Sequence, residues 1–101
     1  MAGSVRRMPK FVIERNVAGA GKWNEQERKA VAEKSNQVLH ALGPEVIWQQ
    51  SYVVDDKIYC VYIAPSKQHV MEHAAKSGFP ADRVTEVKFM LDPASATTPR
   101  P

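Results

Sequence analysis

Between Lys10 and Leu91 the hydrophobic period switches between about two and about 3.6 residues in one order: strand, helix, strand, strand, helix, strand. Each switch carries its own punctuation. KFVIER (10–15) alternates, with Phe11 and Ile13 on one face and Val12 and Glu14 on the other. After the loop NVAGAGKW, Asn24 opens a helix, and Glu27 three residues later completes the capping-box spacing. Ala30, Val31, Val38 and Leu42 supply the expected apolar stripe, and Gly43-Pro44 stops the helix. EVIWQQSYVV (45–54) and KIYCVYIA (57–64) read as a hairpin turning at Asp55-Asp56. Ser66 caps a second helix whose expected packing face is Val70, Met71, Ala74 and Ala75, and Gly78 ends it. TEVKFML (85–91) reads as the last strand.

The order β-α-β-β-α-β predicts an α+β fold of the ferredoxin-like type. Its four-stranded antiparallel sheet carries both helices on one face, and the other face is bare. With 101 residues there is one domain. It is expected over residues 9–93, after a flexible arm at 1–8 and before a disordered tail at 94–101 rich in Pro and Thr. One cysteine permits no internal disulfide. No apolar run approaches the ~20 residues of a membrane span, and MAGSVRRMPK has no apolar core of a secretory signal. A bacterial cytoplasmic setting is the expectation. The net charge of +3 comes from basic residues scattered along the chain.

Strand parity divides KIYCVY. Tyr59, Val61 and Ile63 form the more apolar set and are expected under the helices. Ile58, Cys60 and Tyr62 are then expected on the bare face, together with Glu14, Glu86 and Lys88. The neighbouring strand adds either Trp48, Gln50 and Tyr52 or Gln49 and Ser51, according to register.

Cys60 reads as a small buried hydrophobe or as a thiolate ligand. His69 and His73 are spaced i, i+4, so a helix puts them on one face, where two imidazoles can share a metal. Two solvated histidines give the same pattern, and no C-x-x-C pair exists to close a structural zinc site. The β-α-β-β-α-β order also occurs in RNA-recognition domains. Here Ile58 replaces the glycine after the lysine, and FVIER offers Glu14 where a stacking ring would stand, so the residues argue against a nucleic-acid partner. No strained nucleophile turn marks a catalytic triad.

The segments PKFVIER, EKSNQVL, SYVVDDKIYCVYIAP, EHAAKSGFPADRVTEV and LDP resemble a family of small bacterial proteins of unknown function that includes nickel-binding members. The resemblance spans residues 9–93 and implies a ferredoxin-like, dimeric protein that binds nickel, with metal sequestration as its role. Family motifs are matched by Glu14, Trp48, Tyr52, Asp55, Asp56, Cys60, Tyr62 and His73, whereas His69 stands outside the pattern. The reading is a homodimer that binds a divalent transition metal, nickel first, through His73 and Cys60, with His69 as an extra ligand. Glu14, Tyr62, Trp48 and Tyr52 are the expected surrounding polar and aromatic groups. Imidazole and thiolate suit late first-row metals without selecting nickel over copper. The alternative is a small-molecule binder or enzyme of the dimeric α+β barrel type. Its cleft would lie beside the sheet, with Glu14, Tyr62, Cys60 and His73 as acid-base or orienting groups.

Overall fold

A computed structural model describes residues 8–97. The expected arm lies outside the described residues over 1–7, and the expected tail over 98–101. The elements are β1 (Lys10–Asn16), α1 (Glu25–Leu42), β2 (Ile47–Val53), β3 (Lys57–Ile63), α2 (Lys67–Ser77) and β4 (Arg83–Glu86). The sheet order is β2-β3-β1-β4, and all neighbours are antiparallel. This is the α+β arrangement expected from the period switches.

Local chemistry explains the ends of the helices. Asn24 Oδ1 accepts from the Glu27 amide at 2.8 Å, and Glu27 Oε1 accepts from the Asn24 amide at 2.9 Å. The reciprocal box satisfies two amides that no helical carbonyl could reach. Ser66 caps α2, and Gly78 closes it at φ 78°, a left-handed conformation that suits glycine.

The faces differ from the sequence reading in β3. Ile58, Cys60 and Tyr62 are buried, and they pack on the helix side with Phe11, Ile13 and Val70. Register explains the reversal. Directly opposed residues of an antiparallel pair share a face. Cys60 stands opposite Ile13, and Tyr62 stands opposite Phe11. Tyr59, Val61 and Ile63 exceed Ile58, Cys60 and Tyr62 only slightly in apolar character, and the apolar β1 partners Phe11 and Ile13 outweigh that difference. Glu14 stands opposite Tyr59, so Glu14 does occupy the bare face, while Cys60 and Tyr62 do not.

An irregularity in β2 settles the neighbouring strand in a way neither alternative allowed. Trp48 faces Tyr62 and Ser51 faces Cys60, with a register shift between Trp48 and Gln50. The shift puts Trp48 and Ser51 on the helix side and Tyr52, opposite Tyr59, on the bare side.

Both helix faces are more polar than expected. In α1, Ser35 is the buried position and Ala30 is exposed. In α2 the buried stripe is Val70, His73, Ala74 and Ser77, while Met71 and Ala75 are exposed. β4 is also shorter than the expected 85–91. Its last bond to β1 runs from the Val87 amide to the Lys10 carbonyl at 2.8 Å. β1 starts at Lys10, so the chain beyond Val87 has no ladder to join, and Phe89, Met90 and Leu91 are exposed.

A short 3-10 turn, Ala20–Lys22, docks the β1–α1 loop on the hairpin turn. The Gly21 amide donates to the Asp55 carbonyl at 3.0 Å, and the Gly19 amide donates to Asp56 Oδ1 at 2.8 Å. A side chain at Gly21 would begin 2.7 Å from the Val54 carbonyl oxygen and 2.9 Å from Asp55 Cα. Gly21→Ala is therefore expected to lower stability by about 1–3 kcal/mol through backbone overpacking. Urea unfolding should show a lower midpoint at unchanged slope.

Candidate functional site

The polar residues on the helix side of the sheet converge. A cavity of about 250 Å³ lies between the sheet and the two helices. β1 contributes Arg15, β2 contributes Trp48 and Ser51, β3 contributes Cys60 and Tyr62, and α2 contributes His73. Trp23 and Arg28 line it from the β1–α1 side. This volume lies just below the roughly 300–1,000 Å³ of typical small-molecule sites, so it suits a compact occupant.

Arg15 organises one half. It is 3% exposed. Its Nε donates to Cys60 Sγ at 3.4 Å, and its Nη1 donates to the Pro80 carbonyl at 2.8 Å and more weakly to that of Phe79 at 3.5 Å. The guanidinium thus ties β1 to the loop after α2. Lys34 lies 5.7 Å above the Phe79 ring and holds that loop from α1. Cys60 Sγ also accepts from Ser51 Oγ at 3.0 Å, and Ser51 Oγ accepts from Trp48 Nε1 at 2.9 Å. The register shift in β2 makes this relay possible, because it brings Trp48 and Ser51 to one face.

Tyr62 and His73 form the other half. Tyr62 Oη and His73 Nε2 are 2.9 Å apart, and the ring centroids are 5.0 Å apart at 55°. Burial, with the Cys60 charge as a lesser cause, raises the Tyr62 pKa, so the phenol is protonated. Burial and then the Arg15 charge lower His73 to about 4, so its imidazole is neutral near pH 7. His73 Nδ1 is buried and has no hydrogen-bond partner among the described residues.

Cys60, Tyr62, Trp48 and His73 therefore line one cavity. His69 does not join them. Its Nδ1 is 2.7 Å from Ser66 Oγ and its Nε2 is 3.4 Å from Glu45 Oε1, so the helix does not deliver a His69–His73 chelate. Glu14 lies on the opposite face and pairs with Lys57 at 3.6 Å. Tyr52 is 59% exposed on that same face. An acid-base set joining Glu14 to Tyr62, Cys60 and His73 is consequently ruled out within one chain.

Arg15, Ser35 and Ser77 also line the cavity, and none is among the site residues expected from sequence. A signal for Arg15 existed. Strand alternation carries Phe11 and Ile13 on to Arg15, which places a cation on the core face. Ser35 and Ser77 carried none, because a stripe sought in apolar residues passes over serine.

The chain is thus a small α+β protein with a compact, mixed-polarity cavity between its layers. The chain belongs to the family described as nickel responsive protein SCO4226-like, whose model matches residues 11–87. It is also similar in fold to a solved structure titled as SCO4226 from Streptomyces coelicolor A3(2). That match has a TM-score of 0.67 at 19% identity, and it covers 81% of this chain and 99% of that one. No functionally curated protein matches the sequence. Among the described residues no helix is long and apolar enough to cross a membrane.

The family description raises nickel, and the residues fit it in type more than in number. A neutral buried imidazole with an orphaned nitrogen and a nearby thiol suit a late first-row metal. No group of three His, Cys, Asp or Glu residues able to hold a metal occurs among the described residues. His73 and Cys60 line the cavity as two groups of donor type, fewer than a closed coordination sphere needs.

His73 also sets a pH dependence. In the unfolded chain its pKa is about 6.5, and in the folded protein about 4. Between these values only the unfolded state binds the proton, so stability falls as pH drops from about 6.5 to about 4 and levels off below. The total loss is on the order of 3 kcal/mol at ~1.4 kcal/mol per unit. Denaturation series from pH 7.5 to 4 should show this slope in the wild type and its absence in His73→Leu.

Proposed function

We propose that the protein binds a divalent transition metal, nickel first, at the cavity between sheet and helices, in keeping with a sequestering role in the cytoplasm. The observation that carries this reading is His73: a buried, neutral imidazole with an unpartnered Nδ1, lining the same cavity as Cys60. When Nε2–H donates to Tyr62 Oη, the Nδ1 lone pair is left for a metal. An oriented second nitrogen is the usual support of a ligating histidine. Cys60 binds as thiolate, so loading releases a proton. A bound ion would hold β3 and α2 together, since these carry the two donors.

Calorimetric titration of tag-free protein with Ni(II) tests this. Stoichiometric binding is expected, weakened at least tenfold in His73→Ala and in Cys60→Ser. The apparent heat should vary with buffer ionisation enthalpy, as proton release requires. Binding that both substitutions leave unchanged would overturn the assignment. His69→Ala is expected to have no effect.

The reading includes a homodimer formed through the bare sheet face. Its support is the exposed run Phe89, Met90 and Leu91 beyond β4, with Met90 Sδ 3.1 Å from Lys10 Nζ beside that face. Light scattering should give twice the chain mass, and Phe89→Asp with Leu91→Asp should shift it to the monomer.

A further inference from the structure

The charges around the cavity suit an anion beside any bound cation. Two guanidinium groups, Arg15 and Arg28, line it, and among the described residues no Asp or Glu does. Arg28 is exposed, with its Nε committed to the Trp23 carbonyl at 3.0 Å. Arg15 is buried, and among the described residues no carboxylate pairs with it. Its Nε and Nη1 bond to Cys60 and to the Pro80 and Phe79 carbonyls, and the guanidinium also bonds to the Tyr62 hydroxyl. A guanidinium is always charged and presents five donors in a planar fork. Burying such a charge is costly unless an opposite charge meets it. Among the described residues its partners are two carbonyls, a sulfur and a phenol hydroxyl, all without a formal negative charge to match it, and no carboxylate.

The remainder of the lining specifies what else the occupant carries. Trp23, Trp48 and Phe79 offer apolar surface, and Ser35 offers a hydroxyl from α1. The volume of about 250 Å³ admits a molecule of modest size. We infer that the cavity takes a compact organic carboxylate, seated on the Arg15 guanidinium and packed between the aromatic side chains. A bidentate guanidinium–carboxylate pair is among the stronger and more directional polar contacts available to a protein. The same molecule resolves the shortage of metal donors, because a chelating carboxylate brings oxygen ligands that one chain lacks. That second clause rests on the nickel reading above, whereas the anchoring of the carboxylate at Arg15 does not.

Both tryptophans of the chain line the cavity, so their fluorescence reports its occupancy. The full-length protein is titrated with malonate, succinate and citrate, with Ni(II) alone, and with preformed nickel citrate. Arg15→Gln and Arg15→Lys are compared with the wild type. At least one carboxylate is expected to shift the emission saturably. Its affinity should fall tenfold or more in Arg15→Gln and less in Arg15→Lys, which keeps the charge without the fork. Nickel citrate is expected to bind more tightly than citrate or nickel alone.

The two readings fail differently. Carboxylate binding that needs Arg15, with no response to Ni(II) alone and no gain from nickel citrate, keeps the anchor and overturns the metal reading. Nickel binding indifferent to citrate and to Arg15→Gln keeps the metal reading and overturns the anchor. No response to any carboxylate, or equal affinity in wild type and Arg15→Gln, also overturns it. Where Arg15→Gln fails to fold, Ser35→Leu fills the cavity from α1 and leaves the Arg15 side chain in the protein. That variant is expected to abolish the carboxylate response, and an undiminished response in it overturns the proposal.

Discussion

The interior of this protein is arranged around a charge. Arg15 comes from the central strand β1 and reaches the sulfur of Cys60 on β3 and the carbonyls of Phe79 and Pro80 after α2. Three parts of the chain far apart in sequence therefore meet on one guanidinium. A cation in that position prevents the layers from closing into a dry apolar core, because it needs polar neighbours. The buried Ser35, Ser77 and His73 on the helices and Ser51 on the sheet are consistent with that demand. The Arg15 charge also contributes, after burial, to keeping His73 neutral.

Two small backbone devices aim this arrangement. The register shift in β2 turns Trp48 and Ser51 to the same side, and that side is the cavity. The 3-10 turn at Ala20–Lys22, locked against the hairpin by Gly21, precedes Trp23 and leads it to the cavity. Neither device does chemistry. Each decides where an aromatic ring stands, and together the rings shape a space that one more methylene would alter.

The strand and helix order could be read from residue patterns alone, and so could the Asn24–Glu27 box and the glycine stop at Gly78. Their causes are local: spacing along a few residues decides whether a cap forms. The site was legible only in its members. Cys60, Tyr62, Trp48 and His73 stood out by residue type, yet Cys60 and Tyr62 were placed on the wrong face. Glu14, Tyr52 and His69 were grouped with them and lie elsewhere. Arg15 continues the alternation of Phe11 and Ile13 onto the core face, although a charge at the end of a strand ordinarily reads as solvated.

The sequence by itself determined the period of each segment and the points at which one gives way to the next, because these depend on neighbours within a turn or two of chain. It also determined the inventory of donors: one thiol, three imidazoles and a scatter of arginines. Only the tertiary structure decided which face of β3 turned inward. That choice rested on the β1 partners Phe11 and Ile13 and on the helices above them, and not on the alternation within KIYCVY, whose two faces are nearly equal in apolar character. Once that face was chosen, Cys60 and His73 came to the same side of the sheet, and a set of separate residues became one cavity.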